Sequence, residues 1–315
     1  MRQVLGIAIL LVAPTLHAQN LVGFFSLSAP GGLQLGTIDP SNGNISMIGS
    51  AQPAAPFSAK TAIDTTGNRF FFIEATGSGV IRTLDMSDGL QLNSHALTGL
   101  GTASLFSMRY DEGESTLFGF FSDAGARRIG TINPTTGAVT LLPLLSAGAS
   151  ISSTALIALN EGGNRLYFEG TPIAVSNIYS IDTGTGADTS VELSPDPNVS
   201  AWAYDGGEST LFAIYSSGTD RQLGSINPAS GVVTDIGSSI AVGSSTGIAA
   251  LDENGDRYFF IGTPPMGSLS VYTVNTNTGA ATSQTLTFPV GISNLHNLEY
   301  DLNAVPVELM SLSVE

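Results

Sequence analysis

Five side chains in this sequence are candidates for binding chemistry: Lys60, Arg109, Trp202, His296 and Glu299. They carry an amine, a guanidinium, an indole N–H, an imidazole and a carboxylate. A polar pocket for an anionic or sugar-like ligand uses this mixture. Lys60 is the only lysine and Trp202 the only tryptophan. The competing reading is structural. Arg109 and Glu299 would neutralise each other inside a narrow core, because buried charges are normally paired. A lone histidine such as His296 is more often a structural donor than a base.

Other chemistries have less support. Of the three histidines, His17 falls in an N-terminal leader, so only His95 and His296 remain. Two are too few for a usual His-based zinc enzyme site, and no Gly-x-Ser-x-Gly elbow joins a strand to a helix. Absence of cysteine excludes disulfides, thiolate metal sites and cysteine nucleophiles. Asp252-Glu253-Asn254-Gly255-Asp256 places acids at alternate positions like a calcium loop. It lacks the far glutamate ligand and its glycine is displaced, so it reads as a turn. The segment Gly243-Ser244-Ser245-Thr246-Gly247 opens no helix and does not cradle phosphate. No catalytic residue, metal ligand or cofactor is assigned.

The elements that must position the five residues are repeated hairpins. The clearest copy is Thr131-Ile132-Asn133-Pro134-Thr135-Thr136-Gly137-Ala138-Val139-Thr140. Its opening Asx recurs as Asp39, Asp85, Asn133, Asp182, Asn227 and Asn275, at steps of 46, 48, 49, 45 and 48 residues. Pro40, Pro134 and Pro228 preset φ, and Gly43, Gly89, Gly137, Gly186, Gly231 and Gly279 supply a positive φ. A second hairpin runs in phase: Asp64 to Arg69, Asp111 to Ser115, Asn160 to Arg165, Asp205 to Ser209 and Asp252 to Arg257. Four strands per period, here a to d, make a propeller blade.

The chain begins with strands b, c and d at 21–50 and lacks their strand a. Leu295-His296-Asn297-Leu298-Glu299-Tyr300-Asp301 matches an internal strand a, Phe106 to Asp111. The expected fold is therefore all-β: a six-bladed β-propeller over 19–303, closed by pairing of the C-terminal strand with the N-terminal three. Closure removes two open sheet edges. Blades also alternate. Glu114-Ser115-Thr116-Leu117-Phe118 echoes Glu208-Ser209-Thr210-Leu211-Phe212. Asn68-Arg69, Asn164-Arg165 and Asp256-Arg257 mark the blades between, so three two-blade units are expected. Aligning the inner strands on their last apolar residue puts Ala62, Arg109, Ala158, Ala203, Ala250 and Glu299 at one level of the channel. Aromatic triplets such as Phe70-Phe71-Phe72 are expected in the core between blades, and binding is expected at the variable b–c and d–a loops.

Composition bounds the function. Of 315 residues, 42% are apolar and 11% charged, with a formal charge of −16. Such an acidic chain lacks the basic surface that nucleic acid requires. Residues 1–18 read as a signal peptide: Arg2, an apolar run Val4 to Val12, then cleavage near Ala18. That run is too short to span a bilayer, so no membrane insertion is expected. The expected location is secreted or cell-surface, or periplasmic. The partner would be a protein, a glycan or a small molecule.

The repeated hairpins resemble those of secreted bacterial propellers with an Asp-Pro-x-Thr-Gly turn, across nearly the whole mature chain. The tail at 304–315, with Pro306-Val307-Glu308-Leu309, resembles the linker of exported Bacteroidetes-type proteins and reads as a linker or truncated extension. These resemblances imply an exported, non-catalytic binding or surface-interaction module. The alternatives are a lactonase-like propeller hydrolase or lyase with its site at the channel mouth, and a structural domain of a longer surface protein.

Overall fold

Apolar residues at every second position place one row of side chains on each face of a strand, and the Asx–Gly turns set where each strand stops. The computed structural model describes residues 21–28, 31–52, 57–74, 79–145, 157–170 and 176–300. The leader at 1–18, the tail at 304–315 and segments 53–56 and 171–175 of the variable loops lie outside the described residues.

The chain opens with β1 (Leu21–Leu27), β2 (Gly32–Ile38) and β3 (Ile45–Gln52). The first blade follows as β4 (Phe57–Asp64), β5 (Arg69–Glu74), β6 (Val80–Asp85) and β7 (Gln91–Ala96). The second is β8 (Ser104–Asp111), β9 (Thr116–Asp123), β10 (Ala126–Ile132) and β11 (Val139–Leu141). The third is β12 (Ile157–Asn160), β13 (Arg165–Gly170), β14 (Asn177–Asp182) and β15 (Asp188–Glu192). The fourth is β16 (Val199–Asp205), β17 (Thr210–Ser217), β18 (Asp220–Ile226) and β19 (Val233–Ile240). The fifth is β20 (Ser244–Asp252), β21 (Arg257–Thr263), β22 (Ser270–Asn275) and β23 (Ala281–Thr285), and β24 (Ile292–Tyr300) ends the series. Among the described residues these form six four-stranded antiparallel sheets, a six-bladed propeller, and the sixth blade has the order β24-β1-β2-β3. Leu21 pairs with Tyr300, Gly23 with Leu298 and Phe24 with Asn297, which is the closure expected from the sequence. No described helix is long and apolar enough to cross a membrane.

The repeated turn behaves as its residues require. The Asx side chain accepts backbone N–H groups two residues on, as from Ser41 to Asp39 at 2.8 Å and Thr135 to Asn133 at 2.9 Å. The turn glycines lie at φ between 70° and 76°. At Gly231 a second constraint is added: a methyl there would overlap the Glu192 carbonyl of the neighbouring blade. Parallel bridges Thr98–Ala138, Ser194–Val232 and Asn44–Thr287 join the c–d hairpin of each even blade to the outer edge of the preceding odd one.

The same odd-to-even seams carry a polar lock. Arg69 donates through Nε to Asp64 at 2.6 Å and through Nη2 to the Tyr110 hydroxyl at 3.1 Å. Arg257 does likewise, to Asp252 at 2.9 Å and toward the Tyr300 hydroxyl at 3.4 Å. In the third copy Asn160 Nδ2 donates to the Tyr204 hydroxyl at 2.8 Å. Each tyrosine also packs on a ring of the odd blade: Phe71–Tyr110, Tyr167–Tyr204 and Phe259–Tyr300, at 5.4, 5.5 and 5.9 Å. Such pairs contribute about 0.5–1.5 kcal/mol beyond area burial. The even-to-odd seams lack the tyrosine lock and pack mainly through apolar side chains, as where Phe24 meets Phe70 and Phe72, and Phe120 meets Phe168, with Asn297 Nδ2 donating to the Thr61 hydroxyl at 2.7 Å between the sixth and first blades. The alternation of blades is thus an alternation of seams.

Two outcomes follow for stability. Truncation after Gly291 removes the inner strand of the sixth blade, with buried Leu295, Leu298 and Tyr300. Those side chains contribute on the order of 5 kcal/mol, a large share of the ~5–15 kcal/mol that holds a domain folded. Thermal unfolding should therefore collapse toward room temperature, and an unchanged melting curve would refute strand closure. Gly231→Ala should destabilise by about 2–3 kcal/mol, from backbone strain plus overlap. Gly218→Ala, with the same positive φ and open space around it, should lose only about 1 kcal/mol. Equal denaturant midpoints for the two variants would count against the close approach of blades at Gly231.

Candidate functional site

The inner strands β4, β8, β12, β16, β20 and β24 surround a cavity of about 210 Å³ at the end of the channel where the a–b turns lie. All six residues aligned from the sequence line it: Ala62, Arg109, Ala158, Ala203, Ala250 and Glu299. The four alanines leave the space that Arg109 and Glu299 enter.

Of the five candidate residues, Arg109, Trp202 and Glu299 line this cavity, whereas Lys60 and His296 are not part of its wall. Arg109 Nη1 lies 3.7 Å from Glu299 Oε1 and donates to the Met108 carbonyl at 3.0 Å. The ion pair weighed in the sequence is therefore present, across two blades. Desolvation pushes the Glu299 carboxyl above its usual range, and the Arg109 guanidinium pulls it back. Trp202 is buried between the third and fourth blades, at 4% exposure.

Depth along the strand accounts for the two that are displaced: the wall reaches only one residue below the aligned level, at Ile157, Trp202 and Ala249, whereas Lys60 and His296 lie further down, both in bulges. The β4–β5 register jumps from Ser58–Ile73 to Thr61–Phe72, so Lys60 sits in the extra residues. The β24–β1 register jumps from Asn297–Phe24 to Leu295–Phe25, so His296 is the extra residue of its bulge. A bulge breaks the two-residue alternation and re-aims the side chain. His296 Nε2 meets Ser26 Oγ at the edge of the sixth blade, and burial lowers the imidazole pKa. Burial likewise lowers that of Lys60.

The rim holds residues that the sequence reading did not single out. Glu112, Glu161 and Glu253 each follow the Asx of an a–b turn, and each reaches back to the preceding blade. Glu112 Oε1 accepts from the Thr65 backbone N–H, from its hydroxyl at 2.9 Å and from the Thr66 N–H at 3.3 Å. Glu161 Oε2 accepts from the Glu112 N–H at 3.2 Å, and Glu253 Oε2 from the Gly206 N–H at 3.1 Å. All three line the cavity with Tyr110, Tyr204 and Tyr300. Burial first, then the Asp111 charge, with smaller pushes from Glu112 and Glu253, raise the Glu161 carboxyl to about 7 against the pull of its backbone donor. Burial and Asp205 raise Glu253 as well. The signal was an Asx-Glu dipeptide in three of the five repeated turns. Its meaning needed the ring, because the latch joins different blades. By contrast Asp252 accepts the Gly255 N–H at 3.0 Å and pairs with Arg257, so its carboxylate is used within the turn.

No family profile matches the chain, and no curated protein matches it either. Solved propellers share its fold at low identity. TolB from Acinetobacter baumannii is 13% identical with a TM-score of 0.59, over 90% of this chain and 66% of that one, just under two thirds of its length. A chain of the nidogen/laminin complex is 13% identical with a TM-score of 0.60, over 90% and 99%. A putative 6-phosphogluconolactonase from Bacteroides uniformis is 12% identical with a TM-score of 0.53, over 84% and 82%. At these identities the likeness is one of fold.

The raised carboxyl has a consequence for stability. Glu161 titrates near 7 in the fold and near 4.5 when free. Between these values the unfolded chain has already released the proton that the folded chain retains, so stability falls as pH rises from about 4.5 to 7 and then levels. Glu161→Gln keeps an acceptor oxygen for the Glu112 N–H and removes this decline. Its melting temperature should match the parent near pH 4.5 and exceed it above pH 7. A constant difference across that range would contradict the assignment.

Proposed function

We propose that the chain is an exported, non-catalytic binding module that takes its ligand at the a–b mouth of the channel, with Arg109, Trp202 and Glu299 in the wall. The observation that carries this reading is the cavity itself. It is enclosed by six inner strands held in one ring, and it combines small apolar residues with a few polar groups, the composition of ligand pockets on rigid scaffolds. Lys60 and His296 belong to the remainder of the channel. Export rests on the leader-like residues 1–18 and places the module at the cell surface, in the medium or in the periplasm.

A second reading, a propeller hydrolase or lyase, is favoured by one observation. A glutamate that titrates near 7 at a cavity mouth is suited to general-base chemistry. The resembled lactonases and lyases gather acidic or histidine residues at the channel mouth.

The single tryptophan makes the first reading measurable. Ligands from a glycan, metabolite and peptide library should change Trp202 fluorescence. Ala203→Leu, which fills the cavity, should weaken any hit at least tenfold while keeping the parent melting temperature. A hit that binds Ala203→Leu unchanged would move the site elsewhere. Turnover of lactones that Glu161→Gln abolishes would establish the second reading instead.

A further inference from the structure

The polarity of the cavity runs along its axis. Deep in the wall are donors. Arg109 contacts Met108 and Glu299 and keeps most of its five N–H groups free among the described residues. Trp202 lines the cavity nine-tenths buried, and its Nε1–H has no hydrogen-bond partner among the described residues. At the rim are acceptors. Glu112, Glu161 and Glu253 each use one carboxylate oxygen on a backbone N–H of the preceding blade, and all three line the cavity. Behind Glu161 stands Asp111, fully buried, with Oδ1 taken by the Glu114 N–H and Oδ2 without a partner. Arg69 and Arg257 neutralise the corresponding Asp64 and Asp252. No such cation is paired with Asp111 among the described residues.

This distribution selects a ligand. A mouth bearing three carboxylates repels anions. A single metal ion needs its ligands to converge, and among the described residues no group of three His, Asp or Glu does so. Spread carboxylates above tyrosine rings suit an organic ammonium, which bonds through several N–H groups and is attracted to aromatic faces. The buried donors below need oxygen acceptors. We propose that the cavity binds a small ammonium-bearing molecule that also carries hydroxyl or carboxylate oxygens, an amino sugar or an amino acid, with its nitrogen at Glu112, Glu161 and Glu253 and its oxygens toward Arg109 and Trp202. Burial and, after it, the Asp111 charge raise the Glu161 carboxyl, and an ammonium beside it would offset the charge of Asp111. This ligand class rests on the binding-module reading above.

The test is titration of the purified chain, followed by Trp202 fluorescence and calorimetry. The probes are glucosamine, N-acetylglucosamine, glucose and 4-aminobutyrate. Glucosamine or 4-aminobutyrate should bind, and glucosamine at least tenfold more tightly than its N-acetyl form or glucose, which lack the charge. Preference for glucosamine identifies the amino-sugar source, and preference for 4-aminobutyrate the amino-acid source. The double variant Glu161→Gln, Glu253→Gln should lose at least fivefold in affinity for the favoured probe while melting no lower than the parent at pH 7.5. Glucose or N-acetylglucosamine binding as tightly as glucosamine would overturn the ligand class and leave a binding module in place. Failure of both amines, with uncharged library members binding instead, would do the same. Failure of every probe and every library member would overturn both readings.

Discussion

The seam between neighbouring blades is the constraint from which the rest follows. Each sheet has two apolar faces, and neither can be left in water, so every blade needs a neighbour on both sides. In a linear array the first and last faces would stay exposed, together with their strand edges. The ring removes both problems at once, provided the ends meet. Pairing of β24 with β1 accomplishes this, and it brings Phe24 and Leu298, nearly the whole chain apart in sequence, into one sheet.

The seams are of two kinds, which gives the ring its pseudo-threefold order. Odd-to-even seams combine a tyrosine packed on an aromatic ring, an Asx or Asx–Arg partner and a short parallel bridge to the next hairpin. Even-to-odd seams lack that tyrosine and combine aromatic and aliphatic packing with single polar links, Glu161 to Glu112, Glu253 to Gly206 and Asn297 to Thr61. The polar locks need specific geometry, and therefore fix how one blade is rotated against the next. Apolar packing is less directional and supplies most of the burial. In the third copy Asn160 takes the place of Asp64 and Asp252, and it reaches the tyrosine directly.

The cavity is a by-product of the same geometry. Six inner strands at this radius leave room for small side chains, and four alanines keep that room open. Arg109 and Glu299 enter the space from different blades and restrain each other across it. The rim glutamates tie each turn to the previous blade, so the mouth is held by the same contacts that hold the ring. Variation of rim charge is thus coupled to stability: the Glu161 carboxylate is disfavoured by burial first and then by Asp111, and favoured by its backbone donor.

The hairpin repeat was decided by the sequence alone, because Asx, Pro and Gly act through local backbone preferences that need no partner. Strand alternation and blade period are local in the same sense, and so the six blades, their closure and the level shared by Ala62, Arg109, Ala158, Ala203, Ala250 and Glu299 could be read without coordinates. What only the tertiary structure decided was every relation that crosses a seam or depends on an extra residue. Lys60 and His296 lie below the cavity wall, in bulges that leave no compositional trace, because the wall reaches only one residue beneath the level that the alanines share. Glu112, Glu161 and Glu253 looked like ordinary solvated turn residues, and became a rim only when the neighbouring blade presented its amides to them.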